Sequence, residues 1–137
     1  MSTPEGLRGA SKLEVIIKAR DLADYTIKIA ANPKIFLPEH KSTVTDYITK
    51  TALAIYMDAW TANNIMVKSA DDENFRERRR LQEVAARNCN NLLALMQLAQ
   101  KVFHLKTQRI KYWGQKTIDV RNLLRAWKES DYKRYHR

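Results

Sequence analysis

The sequence predicts an all-α fold, an antiparallel up-and-down four-helix bundle formed by a single domain over residues 1–137. The chain contains only 3 glycines and 3 prolines, so long stretches have no residue that breaks a helix. Apolar residues recur at spacings of three and four in four successive segments, as on the buried face of a packed helix. Short links join the segments, which favours antiparallel neighbours, and 137 residues are enough to bury one core.

The first two helices are separated by a connector that contains proline. After an arm over residues 1–11 that is predicted to be loose, the first helix is expected over residues 12–31. It should end before Pro33, because the residue preceding a proline is disfavoured in helical geometry. The second helix is expected over residues 42–66, with a serine or threonine as its N-cap. The connector's apolar residues, 35–38, are predicted to close one end of the bundle.

The third and fourth helices are predicted to form a long hairpin. They are expected over residues 74–103 and 107–130, followed by a basic, aromatic tail at 131–137. Residues 71–73 are all acidic and immediately precede the third helix, where carboxylates cap free amides and favour the positive end of the helix dipole. Capping is therefore preferred to a metal site. The predicted buried seam of the fourth helix is Ile110, Trp113, Thr117, Val120, Leu124 and Trp127.

Positive charge is concentrated in the second half of the chain. Residues 1–73 contain 9 Lys and Arg against 10 Asp and Glu, whereas residues 74–137 contain 16 against 5. A balanced half joined to a strongly basic half points to a polyanionic partner. Nucleic acid is the commonest partner of this kind, and an acidic protein or a membrane surface are the alternatives.

The candidate nucleic-acid contacts are basic residues of the third and fourth helices. The arginines between residues 76 and 80 oppose the macrodipole at the start of the third helix, so helix stability does not account for them. Since no base-reading motif accompanies the charges, contacts to the phosphate backbone with weak sequence preference are expected. The predicted contacts are Arg78, Arg79, Arg80, Arg87, Arg109, Lys116, Arg121, Arg125 and Lys128.

The sequence contains no recognisable catalytic, metal or cofactor site, so a non-enzymatic protein is predicted. Its 3 histidines have no metal-ligand spacing. Cys89 lies on an apolar face with no partner histidine in sequence, which favours a buried structural thiol. The absence of an apolar leader or membrane-spanning segment, together with the single cysteine, favours a protein of the reducing cytoplasm.

The tryptophans are predicted to divide between core and surface. Trp113 and Trp127 fall on the seam of the fourth helix and are predicted to be core residues. Trp60 and Tyr56 flank the main apolar stripe of the second helix. Since a bundle of this size buries few tryptophans, these two are predicted to lie at an interface between copies of the chain.

Short motifs spread over residues 13–131 carry a resemblance to a known family. The chain resembles the accessory variability determinants of diversity-generating retroelements, whose relatives include proteins encoded in intervening sequences of 23S rRNA genes. It departs from the family's pattern where Leu37 separates Phe36 from Pro38, in a longer loop at 68–74, and in the tail. The motifs are Phe36 to Lys41, Ala62-Asn63, Arg79 with Leu92 to Leu95, Arg109-Ile110, and Leu123 to Trp127.

The resemblance implies a specific function. Members of this family are barrel-shaped homopentamers with a basic surface that bind nucleic acid and associate with the element's reverse transcriptase. The expected protein is thus a non-catalytic scaffold, encoded by a bacterium or phage, that holds template RNA or cDNA and supports mutagenic cDNA synthesis. A ribosomal intervening-sequence type of protein, or a structural oligomer that binds only an acidic protein partner, are the alternatives.

Overall fold

Four long helices make up the computed structural model, which describes the backbone of residues 5–136 and the side chains of residues 14–136. Helix α1 spans Glu5–Ala30, α2 Asp46–Asn63, α3 Glu73–Phe103 and α4 Thr107–Tyr135. No strand occurs among the described residues. The predicted all-α class is therefore confirmed. None of the described helices combines the length and the apolar character needed to cross a membrane.

Each helix packs on two others, and a single apolar core lies among them. Helices α1 and α3 both pack on α2 and on α4. The predicted seam of α4 is confirmed, since Trp113, Leu124 and Trp127 are buried, whereas Ile110 at its start is half-buried. The seam faces apolar side chains from the other three helices: Leu22, Ile48, Ile55 and Leu92 are fully buried.

The connector between α1 and α2 closes one end of the core, as predicted for residues 35–38. Of the apolar residues expected to do this, Phe36 is buried and Leu37 is not. Phe36 is buried and its ring lies 4.8 Å from the ring of Phe103 and 6.2 Å from that of Trp113, measured between centroids. Leu37 is exposed, because the chain turns outward there into the short 3-10 helix Pro38–His40.

The second helix differs from the prediction at both ends. It is entered through a π-helical turn, Lys41–Thr45, rather than through a serine or threonine cap, and no side chain caps it. It ends at Asn63, before the predicted residue 66. Asn64 closes the last turn, since its backbone N–H lies 3.2 Å from the Trp60 carbonyl and 3.1 Å from the Thr61 carbonyl.

Helix α3 begins and ends with clear local signals. Asp72 is its N-cap, and the side chain accepts a hydrogen bond of 3.0 Å from the Asn74 backbone N–H. This confirms that the acidic residues before α3 include a capping carboxylate. At the other end His104 takes a left-handed conformation, with φ of 54°, which stops the helix at Phe103 as predicted.

The predicted start of the first helix and the predicted end of the fourth are both wrong, because each helix is longer than expected. Helix α1 already begins at Glu5, so residues 5–11 of the expected arm are helical, and residues 1–4 lie outside the described part. Glycines weaken a helix without forbidding it, and no proline follows until Pro33. Helix α4 runs on to Tyr135, because the supposed tail packs on α3: the Tyr135 ring lies 5.6 Å from that of Phe75.

Candidate nucleic-acid interface

Helices α3 and α4 bring three of the nine predicted contacts to one cavity. Arg87 projects from α3, and Arg125 and Lys128 project from α4, so the pairing of the two helices places them together. The cavity has a volume of about 230 Å³, and we call it the α3–α4 pocket. Its lining residues are Gln82, Glu83, Ala86, Arg87, Asn90, Leu124, Arg125 and Lys128.

The charge of the α3–α4 pocket is predominantly positive. Its one carboxylate, Glu83, accepts a hydrogen bond from Lys128 Nζ across the two helices. That hydrogen bond lowers the pKa of Glu83 against the opposing effect of partial desolvation, and the charges of Lys128, Arg79 and Arg87 lower it further. Glu83 therefore stays ionised and neutralises Lys128. Within residues 14–136, Arg87 and Arg125 form no ion pair with a carboxylate.

Arg121 lies beside the α3–α4 pocket, and only part of its guanidinium group is hydrogen-bonded. Its Nη1 donates a 3.0 Å hydrogen bond to Asn90 Oδ1, whereas its buried Nε has no partner in the described part of the chain. Cys89, beneath, is fully buried, and this burial raises the pKa of the thiol to about 12 although the charges of Arg121 and Arg125 oppose the shift. The predicted structural thiol is therefore confirmed as a buried one, and it stays protonated at neutral pH.

Arg78 is not a phosphate contact, and this prediction is wrong. Its side chain is buried between α3 and α4, with Nη2 donating to Asp131 Oδ1 at 3.0 Å and Nε 2.9 Å from Asp131 Oδ2. The guanidinium also lies 5.2 Å from the centre of the Trp127 ring. Asp131 is 4% exposed and Arg78 is 3% exposed, so the two charges compensate each other. The sequence does hold one signal of this buried ion pair: Asp131 is an acidic residue in an otherwise basic terminal segment.

Arg79 and Arg80 are accessible but differ in their partners. Arg80 forms a close ion pair with Glu77, at 2.6 Å, and its hydrogen bond lowers the pKa of that carboxyl group. Its charge also partly offsets the burial that raises the pKa of Asp58. Arg79 lies over the ring of Tyr132, 5.2 Å from its centre, so it presents a cation stacked on an aromatic surface. Of the two, Arg79 is the better candidate for binding an external anion, because Arg80 is already paired with Glu77.

The remaining two predicted contacts lie away from the α3–α4 pocket. Lys116 is half-buried on the α1 side of α4, with its ammonium 5.1 Å from the Tyr112 ring centre and 5.8 Å from that of Tyr25. Arg109 lines a cavity of about 120 Å³ at the end of the bundle, next to Lys34 and Lys106. The nine predicted contacts thus do not form one surface.

The two residues predicted to lie at an interface sit differently on α2. Trp60 is 46% exposed, whereas Tyr56 is half-buried against the core. Leu53 and Met57 are also exposed on this helix, and with Trp60 they have the i, i+4, i+7 spacing of one helix face. Helix α2 therefore presents an uncovered apolar face in the single chain.

The described side chains contain no group of three or more His, Cys, Asp or Glu residues that would hold a metal ion. Comparison of the chain with protein-family models, with curated proteins and with solved structures found no significant match.

Proposed function

We propose that this protein is a non-catalytic accessory protein of a diversity-generating retroelement, a basic scaffold that holds template RNA or cDNA and docks the reverse transcriptase. The α3–α4 pocket is the observation that carries the nucleic-acid part of this proposal. A cleft with Arg87 and Arg125 unpaired among the described residues is suited to a chain of phosphates, since free guanidinium groups bind phosphate oxygens in a bidentate manner.

The assembly belongs to the same proposal. We take the four helices to run antiparallel in up-and-down order, because each packs on its neighbours in the chain and α1 also packs on α4. The exposed apolar face of α2 supports association of copies, and a homopentamer is the assembly that the family resemblance implies. Repetition of the α3–α4 pocket around such a ring would give a long polyanion several points of attachment.

Binding of single-stranded RNA at increasing salt, on protein of known mass in solution, tests the proposal. For single strands the logarithm of affinity should fall by about 0.7 per logarithm of salt for each phosphate neutralised. The triple variant R79E/R87E/R125E should lose most of this affinity and most of the salt dependence. A matched variant, K50E/K68E/K101E, reverses the same number of charges at exposed lysines outside the α3–α4 pocket and should lose much less.

The result also separates the alternatives. Weak binding that is insensitive to salt would contradict the scaffold proposal and favour a structural oligomer whose basic face meets an acidic protein. A mass near 80 kDa, five times 16.0 kDa, would support the pentamer, and a monomer would contradict that part. Co-purification with the reverse transcriptase of a diversity-generating retroelement tests the docking step, and its failure would contradict that part of the proposal.

A further inference from the structure

The second cavity with predicted contacts lies at the end of the bundle where the connector between α1 and α2 meets the link between α3 and α4. We call it the end cavity. Its volume is about 120 Å³, and three separate segments of the chain line it. Its basic lining residues are Lys34 of the connector, His104 and Lys106 of the link, and Arg109 of α4, and its lining residues include no acid. The α3–α4 pocket, by contrast, contains a carboxylate.

The wall of the end cavity is held in place by the core. Two of its apolar lining residues, Phe103 and Leu105, are only 8% and 7% exposed. The Phe103 ring packs on the ring of Phe36, 4.8 Å away between centroids. On the connector side, the backbone N–H of Lys34 donates a 3.0 Å hydrogen bond to Asn32 Oδ1. The segments that carry the basic side chains are therefore fixed before any ligand binds.

The cations of the end cavity have no carboxylate to neutralise them. Among the described side chains, Lys34, Lys106 and Arg109 form no ion pair. Residues 84–118, which surround the link between α3 and α4, contain six Lys and Arg but no Asp or Glu. The connector's one acidic residue, Glu39, contacts the neighbouring histidine at 3.7 Å instead. Positive charge is therefore uncompensated at this end of the described chain.

The stability of α4 does not explain these charges. Lys106 is the N-cap of α4 and Arg109 lies in its first turn, where the helix dipole disfavours positive charge. That turn contains no acidic residue, and no side chain caps it. The cations around the end cavity also repel one another. A bound anion would relieve both of these costs.

The size and charge of the end cavity fit a phosphate monoester. The volume corresponds to about four water molecules at ~30 Å³ each, which is room for a phosphate group but not for a base as well. A phosphate monoester carries about −1.5 to −2 charges at neutral pH and three terminal oxygens. Because the three unpaired cations come from three segments, they can approach such a group from different sides, as charge-assisted hydrogen bonding to several oxygens requires.

We propose that the end cavity binds a phosphate monoester, and that this group is the terminal phosphate of a bound nucleic-acid strand. Lys34, Lys106 and Arg109 contact its oxygens. The strand-end part rests on the proposed nucleic-acid binding, whereas binding of the phosphate group itself does not. The consequence is that the protein distinguishes phosphorylated strand ends from hydroxyl ends, in addition to holding the strand along α3 and α4.

Fluorescence anisotropy with oligouridylates that differ only at their ends tests the strand-end preference. The strands carry a 5′-phosphate, a 3′-phosphate or hydroxyls at both ends. The wild type should bind one of the phosphorylated strands about tenfold more tightly than the hydroxyl strand, the usual effect of an added charged hydrogen bond. K34Q/K106Q/R109Q should bind all three equally. K18Q/K68Q/K133Q removes the same charge at exposed positions outside the end cavity and should keep the preference.

Binding of inorganic phosphate tests the site without nucleic acid. In amide NMR spectra of the full chain at constant ionic strength, phosphate should shift the signals of residues 104–109 with saturation, and chloride should not. The spectrum of K34Q/K106Q/R109Q should retain the dispersion of a folded protein and lose these shifts. R87Q/R125Q, which changes the α3–α4 pocket instead, should keep them.

The outcomes distinguish this inference from the proposed function. If no strand binds in a salt-dependent way, the proposed function fails, yet saturable phosphate shifts at residues 104–109 would still support the end cavity. If strands bind but their ends make no difference and phosphate causes no saturable shift, the function stands and the inference is overturned. Saturable shifts without an end preference would assign the cavity to free phosphate and overturn the strand-end part. An end preference that persists in folded K34Q/K106Q/R109Q would overturn it as well.

Discussion

Asp131 shows how one buried carboxylate organises several neighbours. It contacts the guanidinium of Arg78 and accepts a hydrogen bond from Gln82, so it joins the first turns of α3 to the last turns of α4. A buried ion pair is costly to break, because removal of one partner leaves the other charge without compensation. The pair therefore fixes the end of the bundle and the orientation of the Gln82 amide together.

Removal of Asp131 should be strongly destabilising. We expect Asp131→Ala to lower the free energy of unfolding by about 3–5 kcal/mol, because Arg78 is left buried and unpaired. Urea denaturation followed by circular dichroism measures this. Glu129→Ala, on the same helix but in an exposed pair with Lys133, should change stability by no more than about 0.5 kcal/mol. If Asp131→Ala changed the free energy of unfolding by no more than about 0.5 kcal/mol, the pair of Arg78 and Asp131 would not contribute to stability.

Adding Arg78→Met to Asp131→Ala should recover part of the lost stability, since no charge then remains to be compensated. A double variant at least as unstable as the sum of the two single variants would contradict this explanation.

The Cys89 thiol should resist modification in the folded protein. Burial raises its pKa to about 12, so almost none of it is thiolate at pH 8, and reagents also cannot reach it. Ellman's reagent should react only after unfolding in urea. Between the ordinary thiol pKa and about 12, the unfolded chain releases the proton and the folded chain keeps it, so this group makes stability fall as pH rises. Rapid reaction of the native protein would contradict the burial.

Some helix ends are set by residues next to them in sequence, and others by contacts with a distant helix. Only the first kind can be predicted reliably from the sequence. The start of α3 is a local case: the Asp72 carboxylate caps its own helix. We expect Asp72→Ala to cost about 1 kcal/mol, the usual effect of losing an N-cap. Asp71→Ala removes an equal charge from the neighbouring exposed residue and should cost less than half of that in the same thermal unfolding experiment. Equal effects would mean that the charge matters and the hydrogen bond does not.

The end of α4 is the opposite case, which explains the error in its prediction. Residues 131–137 are polar and basic, and nothing local distinguishes them from a solvated tail. Their partners, Phe75 and Arg78, lie more than fifty positions earlier. Periodicity locates the seam around Trp113 because that pattern is contained within one helix. Spacing within a helix can be read from sequence, whereas contacts across two helices depend on their register.

The same limit applies to the candidate site. The concentration of positive charge in α3 and α4 is visible in the sequence, and three of the nucleic-acid contacts predicted from it, Arg87, Arg125 and Lys128, line the pocket. It cannot show that Lys128 is neutralised by Glu83, since the two residues are 45 positions apart. Nor can it identify Gln82, because an uncharged glutamine on a helix gives no signal until its partner is known.

At the scale of the whole molecule, helix α2 has more exposed large apolar side chains than any other helix over the part whose side chains the structure describes. Three of its exposed, large apolar residues, Leu53, Met57 and Trp60, have the i, i+4, i+7 spacing that places them on one face. A face of this kind is usually covered by another protein surface. Because the basic residues of the α3–α4 pocket project from other helices, association through α2 would leave that pocket open.

The double variant M57E/W60E should therefore separate assembly from folding. We expect its mass in solution, measured by light scattering, to fall toward 16.0 kDa while its helical circular dichroism is retained, since buried carboxylates would oppose association. RNA affinity should fall by on the order of a hundredfold, because linked sites bind one strand with avidity. Ala126→Glu, an exposed position on α4, should leave the mass unchanged. Wild-type protein that is already monomeric would remove the basis for avidity, and every pocket would then have to bind RNA alone.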